Sequence, residues 1–192
     1  MTKNVLLNNV EHKDLRVITT RSAEYGDNMM FALTFPAEFR SVQAHYPIVF
    51  HKAADGQFHP VALFSFQENQ NLFLTPGGWD VSYVPLMVER HPFLIGAGNN
   101  QLLIHIDLDH PRVSRTTGEA LFLEHGGTTE FLERINSILA TIHHGIEATR
   151  PFVAAMVQHE LIESFVFDVT LNDGSQNRLA GFYTIHEEKL AA

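Results

Sequence analysis

GGTTEFLERINSILATIHHGIEATRPFVAAMVQHELIESFVFDVTLNDGSQNRLAGFYTI, residues 126–185, holds both periodicities that decide the fold. Phe131, Leu132, Ile135, Ile138, Leu139 and Ile142 recur at helical spacing. An amphipathic helix is expected there, capped by Thr128 after Gly126 and Gly127 and stopped by Gly145. A second helix is expected from Pro151, carrying Phe152, Val153, Met156, Val157 and Leu161. The period then shortens to that of a strand: Phe165, Phe167, Val169 and Leu171 alternate with Val166, Asp168 and Thr170. The turn Asn172-Asp173-Gly174 leads into a second strand over 179–185, so the region closes on a β-hairpin.

Upstream, short apolar runs at 15–18, 29–35, 47–51, 60–66, 72–74 and 101–107 read as strands, with Ala54-Asp55-Gly56 turning one into the next. Residues 36–44 read as a short helix with proline in its first turn, and 84–89 as one or two helical turns. Strands, then helices, then a hairpin predict an α+β fold: a mainly antiparallel sheet, two or three helices and a C-terminal β-hairpin, in a single domain over 1–192.

Composition narrows the function classes. The net charge of −9 opposes a nucleic-acid surface, which needs a positive field. Without cysteine there is no disulfide, no thiolate metal site and no cysteine nucleophile. The amino-terminal stretch MTKNVLLNNVEHKDLRV has no apolar segment of signal-peptide length, and no run reaches the length of a membrane span. A cytoplasmic location with no membrane span is expected.

Residues 46–93, YPIVFHKAADGQFHPVALFSFQENQNLFLTPGGWDVSYVPLMVERHPF, hold the single tryptophan amid aromatics and prolines. YPIVF at 46–50, PVALFSF at 60–66, NLFL at 71–74, GGWDVSYVP at 77–85, ERHPF at 89–93 and GFYTIHEEKL at 181–190 form an ordered set. This set is similar to the bacterial SapC family along nearly the whole chain. The resemblance implies gene neighbours that look like flavoproteins, oxygenases and uptake receptors, and a family name drawn from surface-layer gene clusters. It implies an accessory role, and it assigns no chemistry.

Trp79, Asp80, Tyr83, Arg90, His91 and Phe93 would line an aromatic binding pocket, with flat rings carrying polar handles and a guanidinium for a carboxylate or phosphate. The competing assignment makes Trp79 and Phe93 core anchors, Asp80 a helix cap and Arg90 the partner of a nearby acid. His105 and Asp107 imitate one arm of an iron-binding facial triad, with His143, His144, His159 or His186 as a distal ligand. No arginine segment follows any distal histidine, so no metal and no cofactor are expected. Gly96-Ala97-Gly98 lacks the third glycine and the helix of a phosphate cradle, and no G-x-S-x-G is present. His143-His144 would sit at a helix C-terminus, where charge is favoured.

These readings combine into a non-catalytic binding or accessory protein without catalytic residues, working with a partner enzyme or uptake system. Its expected partner is a flavoprotein or oxygenase-like neighbour, or else a small ligand. The alternatives are a metal-dependent (iron/2-oxoglutarate-like) or flavoprotein-associated enzyme and, beyond that, a structural surface-layer component.

Overall fold

In the computed structural model, which describes residues 3–98 and 101–191, the chain begins with β1 (Asn4–Leu6), β2 (Arg16–Val17), a 3-10 turn (Ala23–Tyr25) and β3 (Phe31–Leu33). It continues through α1 (Phe39–Val42), β4 (Ile48–Lys52), β5 (Phe58–Leu63), β6 (Leu74–Thr75), β7 (Gly78–Trp79) and α2 (Leu86–Glu89). Then come β8 (Phe93–Gly98), β9 (Gln101–Asp107), β10 (Val113–Ser114) and β11 (Glu119–Ala120). The long helix α3 (Glu130–Gln158) precedes β12 (Ile162–Thr170), β13 (Gln176–Ile185) and α4 (Glu187–Ala191). The named strands pair antiparallel, and the fold is α+β with the expected C-terminal hairpin.

The chain divides into two compact units: Met1–Asp27, Leu74–Trp79 and Leu86–His143 in the first, Asn28–Phe73, Asp80–Pro85 and His144–Ala192 in the second. In the first unit β9 lies between β1 and β8, and β2 between β10 and β11. Gly96 is part of β8, not of a loop, and a Cβ there would overlap the His105 ring on β9. A side chain at 96 would therefore displace the histidine.

The second unit is built on a five-stranded sheet in the order β12-β13-β4-β5-β3. Val49, Val61, Leu63, Leu179 and Phe182 form its buried cluster, with Met30, Phe31, Phe66 and Phe165 packed against it. The Tyr46, Phe64 and Phe73 rings meet edge to face nearby. The β4–β5 hairpin forms across the turn that Asp55 and Gly56 provide, pairing Lys52 with Phe58. In the β12–β13 ladder, Phe165 pairs with Phe182 and Phe167 with Leu179, so β13 has one extra residue there. Gly181, at φ +83, takes the left-handed conformation within that bulge.

The long helix corrects the expectation of two helices. It runs unbroken through Gly145 and Pro151. Gly145 does not stop it: a Cβ at this position would overlap the Phe35 ring, so glycine permits close approach rather than ending the helix. Pro151 contributes no N–H to the helix ladder, and it sits on the exposed side of the helix. The buried residues Ile142 and Met156 on either side keep the segment helical. Its cap is Thr129 instead of Thr128: the Thr129 hydroxyl accepts the Leu132 N–H at 3.3 Å and donates to the Ala120 carbonyl at 2.7 Å. His143 and His144 consequently lie within the helix, away from its C-terminal dipole.

Candidate functional site

In the second unit a groove of about 990 Å³ lies between the β3–β5 strands and the second half of α3. One wall takes Leu33, Phe58 and Pro60 from the strands and Gln57 from the β4–β5 turn, with Lys52 at the end of β4. The other wall is a single helix stripe, Ile146, Thr149, Arg150, Val153, Ala154, Val157 and Gln158, at the i, i+3, i+4, i+7 spacing of one face. That stripe spans twelve residue steps, about 18 Å at helical rise.

Three large apolar side chains on these walls stay unusually open: Leu33 at 38%, Ile146 at 43% and Val157 at 50% exposure. The two threonines add little polarity, because both hydroxyls are committed elsewhere. Thr34 donates to the buried Glu38 carboxylate at 2.7 Å, and Thr149 to the Gly145 carbonyl at 2.8 Å. The groove is thus an apolar trough with polar atoms at a few points, the composition of a ligand site.

Its charges are one-sided. Lys52 and Arg150 line it, and none of the lining residues is a carboxylate. Lys52 sits 5.2 Å from the Phe58 ring centroid, and among the described residues neither cation has an ion pair.

The first unit places its charge differently. Arg112, Asp27, Arg21, Glu89 and Arg134 form an alternating chain of ion pairs. Arg112 meets Asp27 at 2.6 Å and donates to the carbonyls of Ile18 and Thr20 at 2.8 Å each. Its guanidinium lies 5.3 Å from the Tyr25 ring centroid. Arg21 bridges Asp27 to Glu89, and Arg134 closes on Glu89 at 2.6 Å. A cavity of about 70 Å³ lies among these groups.

The six residues singled out from sequence divide between the units. Trp79, Arg90, His91 and Phe93 belong to the first, and Asp80 and Tyr83 to the second. Trp79 is half-buried on β7 opposite Leu74. Arg90 donates to the Phe93 carbonyl at 2.7 Å, and Phe93 is wholly buried with its ring 6.2 Å from Phe131. His91 lines the small cavity and stacks on His110 at 5.6 Å. Burial, then the charges of Arg90 and His110, depress its pKa to about 4. In the second unit Asp80 is exposed, its N–H on the Phe73 carbonyl. The Tyr83 hydroxyl donates to Glu38 at 2.9 Å, and burial together with that carboxylate raises its pKa far above the ordinary phenol range.

His105 and Asp107 share the β9 strand, yet both have other contacts. His105 packs over Gly96, and the Asp107 carboxylate accepts the backbone N–H groups of Lys3 and Asp109. Among the described residues no three histidine or acidic side chains gather as a metal site would require. Among the described residues no helix is long and apolar enough to cross a membrane.

The sequence does not mark this groove as a site, although Val153 and Val157 belong to the apolar pattern expected of a helix from Pro151. Beside the buried stripe of α3, Ile146, Val153 and Val157 form a second apolar stripe that a core-facing helix does not need.

The SapC family model matches residues 7–192, nearly the whole chain, and the protein belongs to that family. No curated protein and no solved structure shows significant similarity to it.

Proposed function

We propose that this SapC-family protein is a non-catalytic binding protein whose groove between β3–β5 and α3 holds a single-chain apolar ligand. The observation that carries this reading is the convergence of Leu33, Ile146 and Val157, all open to solvent, on one trough of about 990 Å³. Ligand pockets measure about 300–1,000 Å³ and combine apolar walls with a few polar groups. A protein that holds such a ligand serves as an accessory to a partner enzyme or uptake system by delivering or withholding it. The test is fluorescence of the neutral probe N-phenyl-1-naphthylamine. It should brighten on the wild type and not on Ala154→Trp, which fills the trough from an exposed helix position. Equal brightening on both would refute the reading.

A second reading, docking to a protein partner, is favoured by Val166 and Phe167, about half exposed on β12 at the edge of the five-stranded sheet. Pull-down from the native cell should then recover a flavoprotein or oxygenase-like neighbour, and Phe167→Asp should lower that recovery.

A further inference from the structure

We infer that the ligand of this groove is an anionic amphiphile: one alkyl chain ending in a carboxylate, taken from solution and held at its head by Lys52 or Arg150. The inference rests on the binding reading above and adds the chemistry of the occupant.

Charge carries the argument. The chain is acidic, with net charge −9, yet two cations and no carboxylate line this trough. Each wall contributes one cation, Lys52 from the end of β4 and Arg150 from the helix stripe. In the first unit Arg21, Arg112 and Arg134 are all paired with carboxylates, whereas Lys52 and Arg150 have no ion pair among the described residues. Both cations are exposed, so each offers an anionic head the modest attraction of a surface ion pair. Arginine also presents a planar fork that matches a carboxylate. Glu38, whose oxygens accept from Thr34 and Tyr83, does not line the trough, and neither do Asp55 and Glu147, which adjoin lining residues in the chain.

Shape selects a single chain. The helix wall runs about 18 Å, with Ile146 on one side of Arg150 and Val153, Ala154 and Val157 on the other offering only hydrocarbon. The Gln57 and Gln158 amides and the His59 ring add further polar groups.

Isothermal titration of the full chain at low salt with dodecanoate, dodecanol and dodecyltrimethylammonium, each below its micelle concentration, tests this. Dodecanoate should bind most tightly, by at least about threefold over dodecanol, the preference expected of exposed ion pairs. Arg150→Glu and Lys52→Glu, both at exposed positions, should reduce or reverse that preference while leaving dodecanol affinity within about twofold. Ala154→Trp should abolish binding of all three. Equal affinity for dodecanoate and dodecanol, unchanged in both charge variants, would overturn the anionic ligand and leave the apolar groove standing. Binding to anionic phosphatidylglycerol vesicles without binding to monomeric dodecanoate would also overturn it. Binding of none of the three would remove the groove reading itself.

Discussion

Arg112 and Arg150 are the same residue type in opposite settings. Arg112 is 1% exposed, bound to Asp27 and two backbone carbonyls, at the buried end of a row of five charges of alternating sign. Arg150 stands open on a helix face, without an ion pair among the described residues, over an apolar trough. A desolvated charge must find its partner within the fold, and Arg112 has Asp27 on one terminal nitrogen and the carbonyls of Ile18 and Thr20 on the other, with only its buried Nε left unpaired. A solvated charge beside hydrocarbon has no such need, and is available to something that arrives from outside. The difference separates charge that holds the structure from charge that can read a ligand.

The largest stability loss is expected at the buried end of that row of charges. Asp27→Ala leaves Arg112 buried without its carboxylate and should cost roughly 3–5 kcal/mol in urea unfolding. A loss below about 1 kcal/mol would show that the network is incidental. Gly145→Ala drives a methyl into Phe35 and should cost about 1–3 kcal/mol, while the helix remains intact by circular dichroism.

The third expectation concerns pH. Burial and the neighbouring Arg90 and His110 hold His91 neutral in the folded state down to about 4, whereas unfolded histidine takes its proton near 6.5. Between those values the unfolded chain binds the additional proton, so stability is full above about 6.5 and falls as pH drops toward 4. His91→Gln should flatten that slope between pH 7 and pH 5, and an unchanged slope would contradict the assignment. Smallest of all, Val157→Ser on the groove wall should change stability by no more than about 0.5 kcal/mol, yet weaken binding of the apolar probe.

Local signals made part of this structure legible. The C-terminal hairpin was readable because alternation and Asn172-Asp173-Gly174 agree: the Gly174 N–H donates to the Leu171 carbonyl, and the Leu171 N–H to that of Ser175. Gly145 and Pro151 read as helix boundaries because composition shows their propensities and not the Phe35 ring that accounts for one of them. Arg112 and Asp27 stand 85 residues apart, a pairing that no local pattern announces. The groove draws on residues near 33, 52–60 and 146–158, each an ordinary fragment of strand, turn or helix until the sheet and α3 bring them together.

The most direct test is an amide-resolved NMR titration of the labelled chain with dodecanoate. Saturable shifts should be confined to Leu33 and Thr34, residues 52–60 and the 146–158 face of α3, with the amides of Asp27, Glu89 and Arg112 unmoved. Shifts centred on the Arg112–Asp27 network, or spread evenly over the surface with no saturation, would contradict the assignment of the groove as the binding site.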